Sequence, residues 1–263
     1  STVAVGYFAG ETSQSTHATA VGVVAGRYNQ GSYATAVGRI AGETSQGGFA
    51  MAMGYAAGQT SQGTSAVAVG NQAARYNQGS NTVAVGVTAG QSNQGGNATA
   101  VGNSAGQISQ GVDSVAMGKY TGQSTQGSYA VAVGTLAGTA SQGIYTTAVG
   151  YRAGQDTQSD HGTAVGVEAG KFNQGNNATA VGRLAGTTSQ GASATAVGAY
   201  AGQHNQGDTT VAVGNQAGKT NQGTNAVAVG HVAGQSGQGN YSVAVGHDAG
   251  QYNQATNAVA VGH

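Results

Sequence analysis

The feature that most constrains this chain is a sixteen-residue period without a single insertion or deletion. "HATAVGVVAGRYNQGS" at 17–32 returns as "YATAVGRIAGETSQGG" at 33–48 and as "FAMAMGYAAGQTSQGT" at 49–64. Numbering the places of the unit from Ser1, a glycine fills the sixth place 17 times from Gly6 to Gly262, and an alanine fills the fourth place 17 times from Ala4 to Ala260. A glutamine fills the fourteenth place of all 16 complete units, among them Gln14, Gln30, Gln46, Gln62, Gln78, Gln94 and Gln110. A short fixed period of this kind predicts a solenoid in which each repeat is one coil stacked on the last.

Sixteen residues are too few for two helices and a turn, while "ATAVG" and "TVAVG" alternate β-branched residues with alanine, the period-2 mark of a strand. The glycines of "VGxxAG" and "NQG" supply turn positions. The expectation is therefore an all-β chain, a parallel β-solenoid or β-roll of about 16.5 coils, running as a single repeat domain over 1–263. Coils stacked about 4.7–4.9 Å apart would extend over roughly 80 Å. Composition suits no ordinary globule: 6% charged, 6% aromatic, 49 glycines and no proline among 263 residues. It would suit a disordered chain, were the period not unbroken.

The variable places mark the wet side. All sixteen charged residues fall at the first, seventh, eighth, eleventh, twelfth or sixteenth place, read as exposed corners. The remaining places hold small or amide side chains almost throughout. An amide buried in every coil must be satisfied, and glutamines stacked at the strand spacing can bond layer to layer as a ladder. The residue before each, such as Ser13, Asn29, Ser45 or Asn77, could ladder likewise.

The third and fifth places share a strand face opposite the small residues. The third alternates Val with Thr19, Thr35, Thr99, Thr147, Thr163, Thr179 and Thr195, apart from Met51; the fifth is Val, as at Val101 and Val181, except Met53 and Met117. Turned inward, this face is a thin apolar core. Turned outward, it is a flat apolar strip larger than a soluble monomer ordinarily leaves bare, and it must be covered by other chains or bind something flat.

"NATAVG" (97–102 and 177–182), "DSVAMG" (113–118) and "YSVAVG" (241–246) resemble the SVAIG or ATAIG phrase of trimeric autotransporter adhesin heads. Similar repeats occur in viral and phage fibre-like proteins. The resemblance implies a left-handed β-roll, three chains to a bundle, displayed on a cell or virion surface for attachment.

Reactive chemistry is sparse. A catalytic site is placed once and breaks repetition, yet the departures from the unit are mild: Thr121 for Ala, Ala74 for Gly, and Ser15, Ser159 and Ala255 for the turn glycine. No catalytic or cofactor-binding residues and no cofactor are expected. His231, His247 and His263 share the seventh place of successive coils and could approach one ion; with no carboxylate at that place they read as solvated corner histidines. The spaced glycines lack the lysine and helix of a phosphate loop. Three Asn-x-Ser/Thr sequons, at Asn97, Asn177 and Asn240, read as accidents of the repeat.

Eight Lys plus Arg balance eight Asp plus Glu, so no electrostatic footprint points to nucleic acid. No run approaches the roughly 20 apolar residues of a membrane-spanning helix. Cysteine is absent, so disulfides are excluded and compartment cannot be read from them. The chain starts inside the repeat, as expected of a segment of something longer. The expectation is an extracellular structural or adhesive fibre on a cell or virion surface, associating with itself as a trimer or end to end, with its surface ligand unspecified. The alternative is an ice-binding solenoid that uses the Thr/Val strip, with Thr147 to Thr195 its best stretch. Ice-binders of this shape pair Thr as Thr-x-Thr, whereas here the second place is Val or Met.

Overall fold

The computed structural model describes residues 1–262 and is an all-β parallel solenoid of sixteen-residue coils. The coils group into two compact units, Ser1–Ala130 and Val131–His263. Each coil is built alike in both units. A first strand spans the third to fifth places, as in Thr19–Val21 or Thr163–Val165, and a second ends at the glutamine, as in Tyr28–Gln30 or Phe172–Gln174. Within each unit the first strands stack on one another as one parallel sheet and the second strands as another. Partners are always sixteen residues apart: Thr19 pairs with Thr35, Ala20 with Ala36 and Val21 with Val37 in the first unit, Thr163 with Thr179 and Val165 with Val181 in the second.

The alternation resolves in favour of alanine inside. The fourth-place alanines from Ala20 to Ala244 are fully buried and pack against the ninth-place alanines, such as Ala25 and Ala41 in the first unit and Ala169 and Ala185 in the second. The Val/Thr face points outward in both units, with Val197, Val213 and Val229 each 36% exposed. The core is too thin for anything larger on the first sheet. Between the sheets lie alanine methyls, with Thr121 replacing one of them, a second-place Ala, Ser or Thr (Gly162 in one coil), and the glutamine. Where that second place is hydroxylated, as at Thr82, Ser114, Thr146, Thr210 and Ser242, the hydroxyl donates to the glycine carbonyl three residues earlier, so its burial leaves no unpaired donor.

Two glycine places are required by this packing. At the sixth, φ is near +130° and a Cβ on Gly22 would lie 2.5 Å from the carbonyl oxygen of Gly38 in the next coil. At the tenth, Gly26 has φ +51° and a Cβ there would lie 2.7 Å from the Gln30 side-chain oxygen, so the missing side chain makes room for the amide. Ala74 occupies this tenth place with φ 45°, and the Gln78 Oε1 beside it has no hydrogen-bond partner among the described residues.

The second strand is less regular. Its thirteenth-place residue adopts a left-handed conformation, as at Ser13, Asn29 and Asn173, with φ 58°, 54° and 53°. The side chain then points outward, and the ladder pairs only the residues on either side, Tyr76 with Ser92 and Gln78 with Gln94. In the second unit Thr157 stands at this place and does not adopt positive φ, nor does Ser141 stacked on it. Those two strands shrink to two residues each, Ser141–Gln142 and Thr157–Gln158. A β-branched residue at positive φ is costly. Val24, Ile40 and Thr88 accept that cost at the eighth place, where the turn admits no alternative backbone; at the thirteenth the strand can shorten instead.

Candidate functional site

The outward strip is a regular surface that recurs coil after coil within each unit. Its third- and fifth-place side chains repeat at the strand spacing, about 4.8 Å along the stack, and lie about 6.6 Å apart across it, two residues along a strand. Thr19, Thr35, Thr99, Val101 and Met117 lie on it in the first unit. In the second unit Thr147, Thr163, Thr179 and Thr195 are consecutive register partners, with Val149, Val165, Val181 and Val197 beside them. Strip backbone groups are spent on the ladder: Thr163 N–H donates to Ala178 O and Thr179 N–H to Ala194 O, both across to the next coil. The strip therefore offers side chains alone, methyls and hydroxyls on a half-exposed plane.

Beneath it, the glutamines hold the two sheets together. Gln30 Nε2 crosses the core to donate to the Thr19 carbonyl at 2.7 Å and the Ala34 carbonyl at 3.3 Å, and reaches the Gln46 amide oxygen at 3.2 Å. The second unit repeats the set: Gln174 donates to Thr163 O at 2.7 Å, to Ala178 O at 3.2 Å and to Gln190 Oε1 at 3.2 Å. Amide-to-amide bonds also link Gln14 to Gln30, Gln78 to Gln94 and Gln94 to Gln110. Gln46 and Gln62 donate only to backbone carbonyls, and the Gln62 and Gln78 oxygens lack partners among the described residues. The ladder is thus broken in places, whereas the link from each glutamine across to the first sheet is regular. Each glutamine is bonded to the carbonyl of a strip residue, so it backs the strip directly.

A second ladder was not expected from the sequence. The eleventh place, read as an exposed corner, is half-buried at several coils and carries its own chain of polar contacts. Gln59 donates to Glu43 at 2.8 Å, Arg75 to Gln59 at 2.7 Å, Gln107 to Gln91 at 3.0 Å and Gln123 to Gln107 at 3.0 Å. At its start Arg27 pairs with Glu11, and that hydrogen bond is the main cause raising the Arg27 pKa above its ordinary value. The recurrence of Gln at this place was the available signal. Outward thirteenth-place amides also bond layer to layer, Asn77 to Asn93 at 3.1 Å and Asn205 to Asn221 at 3.0 Å.

Aromatic rings stack at the first place, His17 on Tyr33 at 4.9 Å and Tyr33 on Phe49 at 5.1 Å between centroids. At the seventh place His231 stacks on His247 at 4.8 Å; His263 lies outside the described residues. No cavity opens among the described residues, and no helix is long and apolar enough to cross a membrane. No protein-family model matches the chain, and no curated protein matches it.

Proposed function

We propose that this chain is a non-enzymatic structural or adhesive segment of a fibre on a cell or virion surface, whose coils associate through the Thr/Val strip with further copies of the chain. The observation that carries the reading is the outward direction of that strip. A half-exposed plane of Val, Met and Thr recurs in coil after coil of both units, and covering such a plane gains roughly 25 cal/mol per Å² of apolar surface. The adhesin-head resemblance of the "ATAVG" phrase supports a bundle of three. The corners vary freely in charge and aromatic content while the inward places hardly change, as suits a shaft whose spacing and stacking matter more than any one side chain.

Sedimentation equilibrium of the full chain tests this. A mass near three times 25.4 kDa, falling to a single chain when Val101→Asp and Val181→Asp are combined, is the expected result. A single-chain mass for the unaltered protein at all concentrations overturns it. The run Thr147, Thr163, Thr179 and Thr195 favours a second reading, ice binding, because it places hydroxyls and methyls in register on an uncharged plane. That reading predicts a single-chain mass together with thermal hysteresis that Thr179→Tyr removes.

A further inference from the structure

We propose that His231, His247 and Asp248 form a binding site for a divalent transition-metal ion of the zinc, nickel and copper class. One donor atom from each of the three lies within 4.8 Å of the others. The histidine rings occupy the same place of adjacent coils, with centroids 4.8 Å apart and planes 17° from parallel. The carboxylate comes from the neighbouring eighth place, where Asp248 Oδ2 sits 3.1 Å from His247 Nδ1. Two backbone features hold it there. Asp248 adopts a left-handed conformation at φ 55°, which Asp tolerates better than most residues. Its amide donates to the His231 carbonyl at 3.0 Å, tying the aspartate of one coil to the histidine of the coil before.

Two imidazoles and a carboxylate are the nitrogen and oxygen donors that borderline divalent ions take. Bonds of about 2.0–2.2 Å in tetrahedral geometry need donors about 3.3 Å apart, so the pair already at 3.1 Å is placed and the His231 ring closes by rotating about χ2. That rotation takes the His231 ring out of its stack on His247 and turns the lone pair in its ring plane toward the shared point. All three side chains are exposed, so water completes the coordination and the site takes up ion without opening the fold. Among the described residues no other group of three histidine, cysteine or acidic side chains meets in this way.

Isothermal titration of the full chain with zinc chloride at neutral pH tests the site. Saturable uptake is expected, at least ten-fold weaker in His231→Ala and in His247→Ala, and weakened by Asp248→Asn, with His161→Ala unchanged as a control and His263 retained throughout. Circular dichroism of each variant establishes that the coils are intact, since these exposed substitutions remove no core side chain. Absence of uptake by the unaltered chain, or uptake by the His231→Ala and His247→Ala variants equal to that of the unaltered chain, overturns the proposal.

Discussion

The two sheets of a coil reach parallel stacking by different routes. In the first sheet every residue of the strand pairs in register, and the inward side chain is a methyl whose small size alone lets the strand lie close to the turn opposite. In the second, outside shortened strands such as those at Ser141 and Thr157, alternate residues pair and the residue between is left-handed, as at Asn77 and Asn93, and the inward side chain is a long amide that makes directed bonds to the first sheet. One sheet is held by shape and the other by hydrogen-bond geometry. The first should therefore be sensitive to volume and indifferent to outward polarity, and the second sensitive to charge and to backbone preference.

The largest effect is expected where the directed bonds are inverted. Gln190→Glu replaces an amide that donates to Thr179 O at 2.8 Å and Ala194 O at 3.1 Å with a buried carboxylate facing those same oxygens, a loss of about 3–5 kcal/mol near neutral pH. Burial beside carbonyl oxygens raises the folded-state pKa of the new carboxyl above its unfolded value of about 4.3. The protonated acid can donate as the amide did, so the penalty grows as pH rises above that unfolded value and shrinks below it. Denaturant melts at acid and neutral pH read the difference; equal losses at both would remove the ladder's directed bonds as the explanation.

Volume comes next. Ala148→Leu forces three extra carbons between the sheets at a site with no exposure and should cost about 1–3 kcal/mol or more by overpacking. Its neighbour Val149→Leu, on the outward face, should change single-chain stability by less than about 0.5 kcal/mol. Thermal melts of the pair compare the two faces of one strand, and similar losses would contradict the assignment of inside and outside.

The smallest effect sharpens the second sheet's dependence on backbone preference. Thr157→Asn supplies the residue that accepts left-handed φ at the thirteenth place, as Asn173 does one coil later, and should stabilise by about 0.5–1 kcal/mol. Protection of the neighbouring amides from hydrogen exchange should rise with it. A destabilising outcome would mean that Ser141 and Thr157 hold their shorter strands for a reason other than β-branching.

Much of this architecture is legible along the chain. The Gly22 and Gly26 places announce their turns because glycine fills the first in every coil and the second in every coil but that of Ala74, and Gln30 announces burial because an amide recurring in every coil has to be satisfied. The eleventh place was misjudged for a physical reason. Glu43, Gln59 and Arg75 are long side chains that lie along the stack and cover one another, so a polar composition coexists with partial burial. Asp248 was missed as a companion of His231 because the two differ in place as well as in coil; only the left-handed corner brings the seventh and eighth places together across the layers.

The period, the strand positions, the turn glycines and the amide at the fourteenth place were determined by the sequence alone, since each follows from a local preference repeated without interruption. Which face of the alternation lies inside was decided only by the tertiary structure. Alternation distinguishes two faces and does not rank them. A chain scored for hydrophobicity would bury Val21 and Val37 and leave Ala20 and Ala36 outside. The closed coil reverses that order: with the ninth-place alanine and the glutamine already filling its interior, the remaining space admits a methyl and excludes a valine.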